Sequence, residues 1–108
     1  MNKIVVTEEV FRLIEKNKKK AFISKDLPRN FIHGIDMSVS CNEIPKSYIV
    51  ISITSTKKIE SAFELTDAEL TAAGYKDVEE LKAKLDMLKG PNELAYYIPF
   101  VKRATVYG

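Results

Sequence analysis

The run Tyr48-Ile49-Val50-Ile51-Ser52-Ile53-Thr54 constrains this chain more than any other segment. Its residues are β-branched almost throughout, and such side chains suit the pleated, half-buried surface of a strand better than the crowded turn of a helix. The near-continuous apolar character points to a central strand covered on both faces. A chain of 108 residues buries roughly two thirds of its unfolded surface on folding. That is one core, and residues 1–108 are expected to form a single domain.

Other elements arrange themselves around this strand. Ile4-Val5-Val6 reads as a short strand, followed by Thr7 as the N-cap of a helix with Glu8 and Glu9 in its first turn. Val10, Phe11 and Ile14 recur at helical spacing, with Leu13 beside them, and the helix is expected to end in the cationic run Lys16-Asn17-Lys18-Lys19-Lys20. Ala21 to Ser24 predicts a second strand. Lys25 to Gly34, with Pro28, Asn30 and Gly34, predicts a loop. Met37, Val39 and Cys41 alternate with Ser38 and Ser40, the period of a half-buried strand. After the central strand, Thr66 and Glu69 fit a capping box, and Gly74 a left-handed helix end. Asp77 with Glu80 caps a second helix whose apolar stripe is Val78, Leu81, Leu85 and Leu88, ended by Gly90-Pro91. Leu94 to Phe100 and Lys102 to Tyr107 read as two closing strands, with Pro99 at an edge or a bulge because it cannot donate to a ladder. The order β-α-β-β-β-α-α-β-β does not alternate as a doubly wound fold does. It predicts an α+β protein with a mixed sheet, strongly curved or closed toward a barrel, under covering helices.

Composition narrows the function classes. Charged residues make up 30% and hydrophobic residues 45%, a globular balance. No apolar run approaches the ~20 residues that span a bilayer, and the first residues do not read as a signal peptide. One cysteine, Cys41, allows no internal disulfide, and one histidine, His33, gives no metal cluster, so neither a metal nor a cofactor is expected. A reducing cytoplasm is the expected compartment. The net charge of +2 alone predicts no polyanion partner. The local run Lys16 to Lys20 is more informative.

The layout resembles the ASCH domains, small members of the PUA-like superfamily, from about Val10 to Phe100. The late segment carries the likeness best: Leu70-Thr71-Ala72-Ala73-Gly74-Tyr75, then Lys76-Asp77-Val78-Glu79-Glu80-Leu81. Tyr96-Tyr97-Ile98-Pro99-Phe100 resembles the family's last barrel strand. Lys18 to Lys25 resembles a degraded Gly-Arg-Lys-Thr strand start, and Gly34-Ile35-Asp36 a Gly-Asp turn with one residue inserted. The resemblance implies a PUA-like barrel with a cleft for RNA or modified nucleosides. Some small bacterial members are amidohydrolases acting on an acylated cytidine, with a Lys and a Thr on the early strand and a Glu before the late Gly. Carried over, Lys20 stands at the Lys position, Ala21 and Ile23 at the hydroxyl positions with Ser24 the nearby hydroxyl, and Ala73 at the Glu position. A methyl group cannot shuttle protons, so the chain is expected to be a non-catalytic relative.

Two readings of the lysines stand side by side. They form a solvated helix end that suits the dipole, or a phosphate-contacting rim of Lys18, Lys19, Lys20, Lys25 and Arg29 on one side of the domain, with Phe31 as a stacking ring. The expected function is a binding module for RNA, a nucleotide or a modified nucleoside. Its alternatives are a small acyl-cytidine amidohydrolase using Lys20 and Ser24, and a protein-interaction accessory domain working through Tyr96, Tyr97 and Tyr107.

Overall fold

The computed structural model describes residues 2–24, 31–88 and 95–108, with Leu88 described by its backbone alone. Within them the chain runs β1 (Asn2–Val5), α1 (Glu8–Glu15), β2 (Ala21–Ser24), β3 (Asp36–Ser40), β4 (Tyr48–Ile53) and β5 (Lys57–Ile59). A 3₁₀ turn (Ala62–Glu64), α2 (Asp67–Ala72), α3 (Val78–Leu88) and β6 (Ala95–Val106) follow. The strands form one six-stranded mixed sheet, ordered β1-β3-β4-β6-β2 with β5 also on β6, curled into a half-barrel. Only β1 and β3 run parallel; the other pairs are antiparallel. No helix among the described residues is long and apolar enough to cross a membrane.

The central place of β4 follows from its sequence. It lies between β3 and β6, and Ile49, Ile51 and Ile53 are all buried. On its other face Ser52 is buried, Val50 is half-buried and Tyr48 is exposed, so cover is complete on one face only. The expected pair of closing strands is a single strand of twelve residues. Its ladder with β4 slips at Val50 and Ile51, which pair with Ala104 and Lys102, leaving Arg103 as the extra residue of a bulge. The break foreseen near residue 101 is therefore a bend within one strand.

Pro99 lies neither at an edge strand nor at the bulge, because it pairs with Ala21 of β2 in register. Its carbonyl faces the other way and accepts the Thr54 N–H at 3.0 Å. On that side, β4 ends at Phe100 and β5 begins at Tyr97. The missing N–H thus falls in the gap between two ladders, where no partner strand asks for it.

Two clusters form on opposite faces of β2 and β6. Phe22, Ile98 and Phe100 point to the first, with Phe11 and Ile14 of α1 and the inward residues of β3 and β4. Ala21, Ala95 and Tyr97 point to the second, with Ile59, Leu65, Leu70, Leu81 and Leu85 beneath α2 and α3. Strand alternation sends neighbouring residues to opposite faces, which is why Ala95 to Phe100 is apolar almost without a break. The Leu94 start of that strand and the Gly90-Pro91 helix end lie outside the described residues.

The caps form as their sequences foretell. Thr7 Oγ1 accepts the Val10 N–H at 3.3 Å. Thr66 and Glu69 complete a reciprocal box, Glu69 N–H to Thr66 Oγ1 at 3.1 Å and Thr66 N–H to Glu69 Oε1 at 2.8 Å. That backbone bond, with Lys57 nearby, holds the Glu69 carboxyl below the usual carboxylate range. Thr66→Ala is expected to cost about 1 kcal/mol, read as a lower urea midpoint at unchanged slope. A second box, Ser61 with Glu64, opens the 3₁₀ turn and was not foreseen from the sequence.

Candidate functional site

The site begins with two helix ends that close in the same way. After α1, Lys18 N–H reaches back to Leu13 O at 2.8 Å and Asn17 N–H to Ile14 O at 3.1 Å, with Asn17 left-handed at φ 61°. After α2, Tyr75 N–H reaches Leu70 O at 2.9 Å and Gly74 N–H reaches Thr71 O at 3.0 Å, with Gly74 at φ 90°. Both are Schellman ends, for which Asn and Gly are the fitting residues. The lysine run therefore does not form the last turn of α1. The chain reverses at Asn17, and Lys18 to Lys20 lead from the reversal into β2.

That lead-in segment supplies donors to the end of α2. The Lys20 N–H donates to Ala72 O at 2.6 Å, and Lys19 Nζ donates to Ala73 O at 2.6 Å. Two carbonyls left without partners by the end of α2 are thereby satisfied, one of them by a cation. The Lys20 carbonyl accepts the Phe100 N–H at 3.0 Å, which ties the same segment to β6.

Alternation divides the three lysines between two grooves, so they do not share one side of the domain. Lys18 and Lys20 are exposed and, with Asn17, face Asp67, Ala68, Thr71 and Ala72 of α2 across an open groove of about 660 Å³. Lys19 turns the other way and is half-buried in a cleft of about 600 Å³ between α1 and α3. Val10 and Leu13 line the α1 wall of this cleft; Glu80, Ala83 and Lys84 line the α3 wall. The Lys19 ammonium lies 5.8 Å from the Phe22 ring centre and 6.0 Å from that of Tyr75. Burial, with Lys84 adding repulsion, pushes its pKa down to about 8. Burial pushes the Tyr75 hydroxyl up, with Glu80 adding to the effect.

The remaining candidates separate. Lys25 and Arg29 lie outside the described residues. Phe31, expected as a stacking ring, is 8% exposed and sits 5.9 Å from the Phe22 ring within the first core cluster, so it offers no open face to a base. Lys20 and Ser24 stand four extended residues apart, about 13 Å at ~3.3 Å per residue, with the core residue Phe22 between them. They form no joint site. Ala73, at the resemblance's Glu position, is buried, and the lysine whose side chain meets it is Lys19 rather than Lys20. Tyr97 is buried in the second cluster, Tyr96 packs against the first, and Tyr107 donates to Glu15 at 2.6 Å. Lys84 and Tyr75 also line this cleft, and no local motif in the sequence marks either of them. The inward turn of Lys19 depends on a carbonyl 54 residues away, and no local signal marks it.

No family model matches this sequence, and no curated protein does. Among solved structures the fold is similar to the crystal structure of hypothetical protein PH0355, with a TM-score of 0.65 and 16% identity over 94% of this chain and 97% of that one. At that identity the likeness is one of architecture: the whole curled α+β arrangement recurs.

Proposed function

We propose that this chain is a non-catalytic, PUA-like binding module of the ASCH kind, whose cleft between α1 and α3 takes a phosphate-bearing nucleotide, a modified nucleotide or the end of an RNA. One observation carries the reading. The Lys19 ammonium is held half-buried at the cleft, with one acceptor among the described residues and a second cation, Lys84, on the facing wall. A buried cation is costly unless an anion compensates it, and phosphate oxygens would serve both lysines at once. The half-buried Tyr75 ring offers an adjacent apolar surface for a base or sugar. Catalysis of the acyl-cytidine type is disfavoured because the side chain at position 73 is a buried methyl group, which cannot move a proton.

Calorimetric titration with nucleotides and short RNAs at two salt concentrations tests this reading. Lys19→Gln and Lys84→Gln are each expected to weaken binding about tenfold or more, as charge-assisted bonds to phosphate are lost. Each is also expected to flatten the dependence of log K on log salt by about 0.7 for a single strand. Equal binding by wild type and both variants, or none by wild type, rejects the cleft. Turnover of acylated cytidine by the unmodified protein rejects the non-catalytic assignment.

A further inference from the structure

The cleft combines three things that seldom meet on a surface: an amine held in place, an apolar wall and a second cation. Lys19 Nζ is fixed by its bond to Ala73 O at 2.6 Å. Val10, Leu13, Ala83 and Met87 give the cleft its apolar lining, and Lys84 its second positive charge. An acyl phosphate has the matching parts, a short apolar chain and a doubly ionised leaving group. We propose that Lys19 is an acylation site, taking the acyl group of a small acyl phosphate whose phosphate is seated by Lys84. The regulatory consequence, loss of the cleft's affinity for anions, rests on the reading given under Proposed function; the acylation itself does not.

The step balances without a further reactant. The neutral Nζ lone pair attacks the acyl carbon and the C–N bond forms. The C–O bond to phosphorus's oxygen breaks, inorganic phosphate leaves with the electron pair, and one amine proton passes to solvent. The amide keeps one N–H, enough to retain the bond to Ala73 O, so the product is compatible with the native helix end. The titratable groups that line the cleft with Lys19 are Lys84 and Glu80 from α3, Glu9 from α1 and Tyr75 from the turn after α2, and of the charged ones Lys84 is the one that acts on the amine. The Glu80 carboxylate also accepts the Lys76 N–H at 3.4 Å, which holds it at the start of α3. With its pKa near 8, roughly a quarter of Lys19 is neutral at about pH 7.5, against about one in a thousand for an amine at the ordinary value.

The test treats the full wild-type chain with acetyl phosphate, cleaves it at acidic residues and locates acetyl groups in the Lys16 to Asp26 peptide by fragmentation mass spectrometry. Lys19 is expected to acquire acetyl on the order of tenfold faster than Lys18 or Lys20, since the gain in neutral amine outweighs its lower nucleophilicity. Its rate should level off above about pH 8, whereas an unshifted amine keeps gaining. Lys84→Gln should slow labelling by acetyl phosphate more than labelling by an uncharged acetyl ester, which loses only the repulsion that helps to keep Lys19 neutral. Rates that follow exposure, with Lys18 and Lys20 ahead of Lys19, overturn the proposal. Nucleotide binding without Lys19 labelling overturns acylation alone. Lys19 labelling that nucleotides do not slow leaves acylation standing and overturns the nucleotide cleft.

Discussion

Replacing Phe11 with alanine is expected to cost about 4 kcal/mol and replacing Leu81 with alanine about 3 kcal/mol, with the two costs adding within about 0.5 kcal/mol. Both side chains are 0% exposed, yet they belong to different clusters, Phe11 under α1 and Leu81 under α3. Strands β2 and β6 stand between them, so a cavity opened on one face is not lined by residues of the other. Each single variant should remain folded, because domains of this size are stable by roughly 5–15 kcal/mol. The double variant approaches that limit. If it does not fold, Ile14→Val at about 1 kcal/mol takes the place of Phe11→Ala. Urea unfolding at unchanged slope is the measurement. Coupling well beyond 0.5 kcal/mol would mean that the strands transmit packing strain, and that the two clusters are one core.

The second large effect is a dependence on pH that belongs to Lys19. Its folded pKa lies near 8 and its unfolded value near 10.5. Between those values the unfolded chain holds a proton that the folded chain has released, so raising the pH favours the folded state. Stability is expected to rise by about 1–2 kcal/mol from about pH 8 to 9.5, the limit of 1.36 kcal/mol per unit being reduced by partial exposure. Lys19→Met should abolish the rise, whatever constant offset it adds by leaving Ala73 O without its donor. The window must close below about pH 10. Tyr75 and Tyr97 have hydroxyl pKa values raised by burial, so the folded chain keeps protons there that the unfolded chain loses, and stability falls again. A flat or falling profile in the wild type between pH 8 and 9.5 would show that Lys19 is an ordinary solvated amine.

Features that could be read in advance are those whose cause lies within a few residues. The Thr66–Glu69 box, the left-handed Gly74 and the isoleucine strand each state their geometry locally, and each forms. Asp77 likewise caps α3, its Oδ1 accepting the Glu80 N–H at 2.9 Å. Strand β5 has three residues, too few to show a period, and it exists because Lys57 to Ile59 meets the edge of β6. Continuity of β6 was hidden because a bulge and a proline each imitate a boundary. The lysine run shows the same limit at the site. Three identical side chains in succession alternate sides, and only the position of Ala73 O decides that Lys19 is the one drawn in. Phe31 misled for a related reason: it falls in a segment that reads as a loop, but Phe22 lies within reach and takes it into the core.

The place of β6 in both clusters has a consequence for how the chain is made. A ribosome delivers β1 through α3 before β6, at about 5–20 residues per second. Until β6 emerges, β2 and β5 lack their antiparallel partner and β4 lacks one of its two. The nascent polypeptide then carries helices with apolar stripes and strands with open edges, the condition in which chaperones engage and misassembly begins. Arrival of the one long strand closes both cores in a single event. Arrested nascent chains should therefore stay sensitive to protease up to the point where residues 95–106 have left the exit tunnel, and resist it abruptly beyond.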